Sequence, residues 1–346
     1  LDMKGLLLLV YTAEHLDDYL MEQASNNHFH GSILLADSNG ILLSKGYGYA
    51  NCKDKVKNEP STRYQIASLT KQFTAIAVMQ LQEKGLLRTD DPVQNYLEGY
   101  PNGDSITIKH LLSHTSGIPD FLEEELLDIE LERAPLDQFI RRFIDKPLEF
   151  RPGQRFNYSN SGYILLTKII ETITNEAYGD VIQQLIFDPL GMKNSGFFSS
   201  PEDISPTVGY LCLNREMIKA PIVYGYGESG LYSTVEDLYL WDRALYTEKL
   251  VSKDALKEAL YSRVKKQAFA AEGPSPALIQ NNSIGYGWFI NHQNKYKIWH
   301  DGEIHGFISS INRYMDEKKV LIMLSNCNLS KTDEILAHLE EALLQM

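Results

Sequence analysis

The sequence has few cysteines, no long apolar run and no excess of basic residues. Its 346 residues include only three cysteines, Cys52, Cys212 and Cys327, which lie far apart without C-x-x-C spacing. We therefore expect at least one free thiol and neither a disulfide framework nor a zinc ribbon. No apolar run reaches the length of a membrane span, so we expect no transmembrane segment. The formal net charge of -13 would repel a phosphate backbone, which argues against nucleic acid as a partner.

The rest of the composition is that of an ordinary folded protein, with 43% hydrophobic, 10% aromatic and 23% charged residues. Near the start, an apolar run from Leu6 to Val10 is shorter than the core of a normal signal peptide. The run is compatible with a trimmed leader or with a strand, and it leaves secretion open.

Strand patterns occur near both ends of the chain. After a predicted helix at residues 13–25, two strand-like runs are joined at Asn39-Gly40, a strong hairpin signal. Three more strand-like runs lie between residues 295 and 326, and a helix is predicted from about Thr332. Helical patterns dominate the middle of the chain.

This distribution predicts an α+β fold, in which one antiparallel sheet is built from both chain termini and flanked by helices. A mostly helical region is inserted between the two halves of the sheet. The predicted subdomains are residues 13–67 with 261–346, which form the sheet, and residues 68–260, which are mostly helical.

A serine and a lysine lie one helical turn apart in the stretch IASLTKQFTA. The helix predicted from Ser68 to about Gly85 is apolar nearly all round, so we expect it to be buried. Lys71 projects from the same face as Ser68, and a buried amine loses pKa and can help a serine to release its proton. A second S-x-x-K copy at Ser262–Lys265 has no apolar helix behind it, and we interpret it as a chance match.

A tyrosine and an asparagine follow a Pro-Gly turn further along the chain. Tyr158-Ser159-Asn160 precedes a helix predicted to begin near Gly162. Extended backbone there would point Tyr158 and Asn160 in the same direction. A phenol beside a lysine can accept a proton, and an amide can hold a substrate carbonyl. The Y-x-N copies at Tyr49 and Tyr100 lack this setting.

A third element, His300-Asp301-Gly302, ends or lines a predicted strand. Gly302 would allow a ligand to approach the backbone closely. Taken alone, His300 is better explained as a structural histidine at the end of a strand. The order of the three elements along the chain carries more information than any one of them.

In this order, Ser68-Leu69-Thr70-Lys71, Tyr158-Ser159-Asn160 and His300-Asp301-Gly302 resemble the motifs of the serine β-lactamase and penicillin-binding-protein family, in its class C branch. The flanks LLSHTSGIPDF, FRPGQRFNYSNSGYILL and GESGLYSTVEDLYLW resemble the family as well, so the likeness covers about residues 14–345. It implies a β-lactamase/transpeptidase-like fold with an active site between the two predicted subdomains.

The resemblance implies a serine hydrolase that forms an acyl-enzyme with a D-Ala-D-Ala-type peptide, a β-lactam or an ester, without a cofactor or a metal. Ser68 would attack the acyl carbonyl, and Lys71 and Tyr158 would share the proton transfers. Asn160 would hold the substrate amide. His300 stands where the family usually has a lysine and would assist proton transfer near Tyr158.

The third motif is also expected to contact the substrate. Backbone N–H groups of Ser68 and Glu303, next to Gly302, would form the oxyanion hole. Asp301 occupies a position where the family often has a hydroxyl residue. If it faces the cleft, its carboxylate would repel a substrate carboxylate. We therefore expect poor turnover of penicillins and a preference for neutral esters or amine-bearing peptides. An acidic run between Glu123 and Glu132 is interpreted as a solvated helix face.

Two alternatives remain open. A non-catalytic relative, such as a β-lactam sensor or a scaffold, would keep the fold without turnover. A metal-dependent hydrolase would use His110 and His114, one helical turn apart, or His28 and His30, but no glutamate follows His110 and no third ligand is spaced nearby.

Partners and location follow from the resemblance. The expected partner is a small-molecule or peptide substrate, such as a cell-wall peptide or a β-lactam. Relatives mostly act outside the cytoplasm, which implies a secreted or cell-envelope protein, with the cytoplasm as the alternative.

Overall fold

The computed structural model of the protein describes residues 11–122, 134–213, 216–261, 282–291, 296–328 and 331–346. Its helices are α1 (Ala13–Ser25), α2 (Thr70–Glu83), α3 (Ile108–Leu112), α4 (Leu136–Arg141), α5 (Asn160–Thr174), α6 (Tyr178–Ile182), α7 (Asp188–Leu190), α8 (Val235–Ala244), α9 (Lys253–Ala259) and α10 (Thr332–Gln345). Its strands are β1 (Gly31–Ala36), β2 (Ile41–Tyr47), β3 (Tyr49–Asn51), β4 (Val56–Lys57), β5 (Tyr64–Gln65), β6 (Gly196–Phe197), β7 (Tyr210–Leu213), β8 (Glu216–Lys219), β9 (Leu231–Ser233), β10 (Ser283–Ile284), β11 (Phe289–Asn291), β12 (Lys297–Ile304), β13 (Phe307–Tyr314), β14 (Lys319–Ser325) and β15 (Cys327–Asn328).

The two ends of the chain meet in a seven-stranded antiparallel sheet. Its strand order is β10-β11-β12-β13-β14-β1-β2. The junction is the β1–β14 pair, in which Gly31 lies opposite Ser325 and Ala36 opposite Val320. The predicted α+β fold, with a sheet built from both termini and flanked by helices, is therefore confirmed.

Both faces of the sheet are buried, and alternation along each strand divides its side chains between two cores. Leu34 of β1 and Ile322 of β14 belong to the larger core, which includes α2, α5 and α8. Ile33 and Leu321, one position earlier on the same strands, pack in a smaller core with α1 and α10. The terminal helices therefore cover one face, while the middle of the chain covers the other.

Most of the predicted elements are found, with shifts at several boundaries. The hairpin at Asn39-Gly40 joins β1 and β2, and α1 begins and ends close to the predicted helix. A 3-10 turn at Ala67–Leu69 precedes α2, and α5 begins at Asn160 rather than near Gly162. The inserted region also contains the short strands β6 to β9 beside its helices.

All three cysteines are free, which agrees with the prediction of at least one free thiol. None of the helices within the described ranges combines the length and the apolar character needed to cross a bilayer. Three features named above lie outside the described residues: the apolar run at residues 6–10, the acidic run between Glu123 and Glu132, and the S-x-x-K copy at Ser262–Lys265.

A buried ion pair joins α8 to the sheet. Arg313 of β13 donates from Nε to Oδ1 of Asp242 at 2.6 Å, and both side chains are fully buried. The other carboxylate oxygen of Asp242 accepts from Arg243. Removing one partner of such a pair leaves an uncompensated buried charge, which is strongly destabilising.

We predict that Asp242→Asn lowers the free energy of unfolding by about 3–5 kcal/mol, because the guanidinium of Arg313 stays buried without its counter-ion. Urea unfolding followed by circular dichroism measures the change. Asp137→Asn is the control, since it removes the partner of the exposed pair with Lys168 and should cost less than about 1 kcal/mol. Equal effects of the two substitutions would contradict the prediction.

Candidate active site

The hydroxyl of Ser68 is held at the surface of a cleft by a strained turn. Ser68 is partly exposed, while Ala67 and Leu69 beside it in the 3-10 turn are buried. Ala67 has a φ of +47°, in the left-handed region that non-glycine residues rarely adopt. Such strain costs about 1–3 kcal/mol and persists only where the surroundings enforce it.

Strand β12 enforces the turn from the sheet side. A Cβ on Gly302 would lie 2.7 Å from the carbonyl oxygen of Ile66 and 2.8 Å from the backbone nitrogen of Ser68. Ser309 of β13 donates its hydroxyl to that same Ile66 oxygen at 2.7 Å. Gly302 is therefore required because the strand passes directly against the serine turn.

Lys71, one helical turn after Ser68, is fully buried. Its Nζ donates to Ser68 Oγ at 3.0 Å, to Asn160 Oδ1 at 2.8 Å and to the backbone carbonyl of Glu228 at 2.8 Å. These three acceptors match the three N–H donors of an ammonium group. The structure therefore brings the predicted residues Ser68, Lys71 and Asn160 together.

Burial lowers the pKa of Lys71 to about 7, although the nearby carboxylates of Glu228 and Asp120 oppose the shift. At pH 7 this pKa raises the neutral fraction of the amine from about 1 in 3,000 to about one half. The site therefore holds an amine that can accept a proton at neutral pH, in contact with a partly exposed hydroxyl.

Tyr158 also lies beside Lys71, with its ring centroid 4.9 Å from Lys71 Nζ. Burial raises the pKa of the Tyr158 phenol well above its ordinary value, and a hydrogen bond with Ser68 only partly offsets this. The phenol is therefore protonated at neutral pH and can donate a proton.

His300 is a neutral ring in this structure. It is 2% exposed, and its Nδ1 donates to the backbone carbonyl of Asp301 at 2.6 Å. Burial, together with the charge of Lys71, lowers the pKa of His300 to about 3. Its ring centroid lies 6.2 Å from that of Tyr158. The third motif therefore places no positive charge beside Tyr158.

Asp301 does not contribute to the cleft. Its carboxylate accepts from Ser310 Oγ of β13 at 2.5 Å, and alternation along β12 places it on the face opposite His300 and Gly302. The expected contact of Asp301 with the substrate is therefore corrected, because the strand directs its carboxylate away. Glu303 does line the cleft, and its carboxylate accepts from Asn328.

Three residues that were not predicted as parts of this site support it. His114 stacks on Tyr158 with ring centroids 4.3 Å apart, and it accepts the N–H of Ser159. Asp120 accepts from Asn160 Nδ2 at 2.8 Å, so it fixes the amide whose other end contacts the lysine. Glu228 supplies the third acceptor for the lysine. All three lie in the stretches LLSHTSGIPDF and GESGLYS. The resemblance of these stretches to the family was the sequence signal that could have identified them.

The cleft beside Ser68 is a cavity of about 520 Å³ with an apolar wall. Within the described part of the chain, no lysine or arginine side chain lines it. Its lining residues are Ser68, Phe121, Leu122, Phe139, Tyr158, Asn160, Val223, Tyr224, Glu228, Ser229, Glu303, Ile304 and His305.

Two of the histidines considered as metal ligands, His110 and His114, accept hydrogen bonds from loop backbone. His110 Nδ1 accepts the N–H of Thr107, and His114 Nδ1 accepts the N–H of Ser159. Across the described ranges, no group of three or more histidine, cysteine, aspartate or glutamate side chains is arranged to hold a metal ion.

Comparison with known proteins gives a consistent result. The Beta-lactamase family profile matches residues 18–345. The chain is 32% identical to penicillin-binding protein 4* of Bacillus subtilis over 90% of its own length and 71% of the relative. It is 35% identical to the putative penicillin-binding protein PbpX of the same organism over 66% of its own length, and spans 58% of that relative.

A solved structure matches over almost the whole chain. The penicillin binding protein from Bacillus halodurans superposes with a TM-score of 0.82 at 29% identity, covering 94% of this chain and 98% of the other. The β-lactamase/transpeptidase-like fold implied by the motifs is therefore confirmed.

We predict that the Lys71 side chain titrates with a midpoint near pH 7, because its burial disfavours the ammonium form. Side-chain NMR of protein with isotopically labelled lysine measures this midpoint, and the spectrum of Lys71→Met identifies the signal. A midpoint above about pH 9 would contradict the prediction, since it would place the amine close to the ordinary lysine value.

Proposed function

The chain belongs to the Beta-lactamase family, whose members are serine hydrolases, and we propose that Ser68 is its nucleophile and Lys71 the base that activates it. The observation that carries the proposal is the 3.0 Å hydrogen bond between Lys71 Nζ and the partly exposed Ser68 Oγ. Because burial holds the pKa of Lys71 at about 7, the lysine can accept the serine proton at neutral pH.

Acylation transfers the acyl group of the substrate to Ser68. Ser68 Oγ attacks the acyl carbonyl while its proton passes to Lys71, and the bond between the carbonyl carbon and the leaving group breaks. Tyr158 donates its phenolic proton to the leaving group and is reprotonated from Lys71. Water then hydrolyses the serine ester and releases the acid. Proton transfers of this kind typically contribute about 10²–10⁴-fold in rate.

The backbone N–H groups of Ser68 and Glu303 are proposed to form the oxyanion hole. Support comes from the contact of Gly302 with the Ser68 turn, which brings β12 beside the nucleophile's backbone nitrogen. In other enzymes, loss of one such donor costs roughly 3 kcal/mol.

Asn160 and His300 are proposed to position the substrate and the groups that transfer protons. Asn160 is bridged between Lys71 and Asp120, so one N–H of its amide remains to hold a substrate carbonyl. The buried lone pair of His300 Nε2 has no partner among the described residues and is proposed to assist proton transfer near Tyr158.

The substrate is proposed to be a small acyl compound or peptide that needs no carboxylate. Penicillins and D-Ala-D-Ala peptides carry a carboxylate, and the described lining of the cleft offers it no lysine or arginine. We therefore propose that neutral esters and amides are turned over faster than benzylpenicillin. A cell-wall peptide as substrate and an extracytoplasmic location are further proposals, supported by the relatives named penicillin-binding proteins.

We predict that a fluorophosphonate forms one covalent adduct per chain and that Ser68→Ala abolishes it, because among the described residues only the hydroxyl of Ser68 is hydrogen-bonded to the lowered-pKa lysine. Intact-protein mass spectrometry measures the adduct. Ser262→Ala, at the second S-x-x-K copy, is the matched control and should still be labelled. Labelling that survives Ser68→Ala would disprove the assignment of the nucleophile.

We also predict that kcat/KM for a neutral ester rises with pH through a midpoint near 7 and then levels off. The sign follows from the base role, since a proton on Lys71 blocks it and its pKa is lowered to about 7. Lys71→Arg, which stays charged, should lose at least about 10²-fold. A rate that is flat between pH 5 and pH 9 would contradict the proposed base.

A further inference from the structure

A buried carboxylate lies next to the active site without lining its cleft. Asp120, in the segment between α3 and α4, is 9% exposed. Its Oδ2 accepts from Asn160 Nδ2 at 2.8 Å, and its Oδ1 accepts the N–H of Leu122 at 3.3 Å. Within the described lining of the cleft, Leu122 and Asn160 are present and Asp120 is not. Asp120 therefore influences the reaction through Asn160 and through its charge, rather than by touching a substrate.

The contact with Asp120 decides which end of the Asn160 amide faces the lysine. An amide has a donor end and an acceptor end of nearly the same shape, whereas a carboxylate only accepts. The Nδ2 end must therefore face Asp120, and the Oδ1 end is left to accept from Lys71 Nζ at 2.8 Å. In the reverse orientation, two acceptor oxygens would face each other in a buried site.

This orientation fixes the direction of the lone pair on the neutral lysine. A neutral amine has two N–H groups and one lone pair, and Lys71 has three partners. Two of them, Asn160 Oδ1 and the backbone carbonyl of Glu228, are oxygens that only accept. The hydroxyl of Ser68 is the partner that can donate. The lone pair therefore faces the proton that the base must remove. A reversed Asn160 amide would donate to this lone pair and block it.

The charge of Asp120 also changes the basicity of the lysine. Burial lowers the pKa of Lys71 to about 7, and the charges of Glu228 and then Asp120 oppose this shift. A nearby negative charge favours the ammonium form, so each carboxylate makes the amine a stronger base. Burial raises the pKa of Asp120 itself, but its hydrogen bonds and the charge of Lys71 counter that rise. The other titratable groups around the amine are phenols whose pKa burial raises and imidazoles whose pKa burial lowers, all uncharged at neutral pH: Tyr158, Tyr163, His114 and His300.

We propose that Asp120 is a positioning residue, which holds the Asn160 amide so that the lone pair of neutral Lys71 faces Ser68, and whose charge keeps that amine basic. This inference rests on the proposed function, in which Lys71 activates Ser68. It extends that function to a residue that touches neither the substrate nor the reacting atoms.

The test replaces Asp120 with asparagine, which has nearly the same shape. The new side chain has one acceptor oxygen in place of two, so it cannot accept from both Leu122 and Asn160 in their present positions. The rate constant for labelling of Ser68 by the fluorophosphonate should fall at least about tenfold at its high-pH plateau. The Lys71 midpoint measured by NMR should move down by at least about 0.5 pH unit, because a negative charge is lost.

Asp237→Asn is the matched control, since it neutralises another buried carboxylate that neutral donors hold. Asp237 is 5% exposed and accepts from the N–H of Asn194 and from Ser195 Oγ, both at 2.8 Å. A plateau rate within about threefold of the wild-type rate and an unchanged Lys71 midpoint are expected for this control. The same plateau rate in Asp120→Asn would overturn the positioning role, and a midpoint there that stays or rises would overturn the role of the charge.

The orientation of Asn160 is also measurable without changing Asp120. In wild-type protein, one side-chain N–H of Asn160 should resonate far downfield of the other, because only one is bonded to a carboxylate. The spectrum of Asn160→Ala identifies the pair. This pattern should persist on both sides of the Lys71 midpoint, since Asp120 rather than the lysine fixes the amide.

A pair of Asn160 signals that averages or inverts as Lys71 loses its proton would overturn the positioning role, while leaving Ser68 as nucleophile. An absence of fluorophosphonate labelling at wild-type Ser68 would instead overturn the proposed function. The two failures are therefore distinguishable.

Discussion

The structure depends on one constraint, the complete burial of the Lys71 amine beside a partly exposed hydroxyl. Carrying an ammonium group into an apolar core is costly, and the protein reduces the cost in two ways. Acceptors from α5 and from the segment before β9 satisfy its donors, and desolvation lowers its pKa to about 7. Burial thus turns a lysine, which is ordinarily charged at neutral pH, into a usable base.

The fold makes this burial compatible with an accessible hydroxyl on Ser68, the proposed nucleophile. The sheet joins both ends of the chain, so that β12 from the C-terminal part lies against the turn that precedes α2. Gly302 permits this contact, and the left-handed Ala67 shapes the turn so that Ser68 remains partly exposed. Residues remote in sequence therefore meet because the inserted helices pack on one face of a sheet that both chain ends form.

From the sequence we could predict the fold class and which residues gather at the site. The directions in which their side chains point were harder to predict. Spacing and order pointed to Ser68, Lys71 and Tyr158, because helical periodicity and short motifs are local properties. The direction of Asp301 was not predictable, since it depends on which face of β12 meets the cleft. Glu228 was missed because its burial arises from tertiary packing around a loop that carries no periodic signal.

The most direct test of the central claim replaces Lys71 with its thioether analogue, made by aminoethylation of Lys71→Cys in a background without other cysteines. The analogue has the same shape and charge, but its amine is intrinsically more acidic. If the neutral amine activates Ser68, the pH midpoint of single-turnover acylation shifts downward by the same amount as the intrinsic pKa. A midpoint that stays at the wild-type value would contradict the account, because the titrating group would then not be this amine.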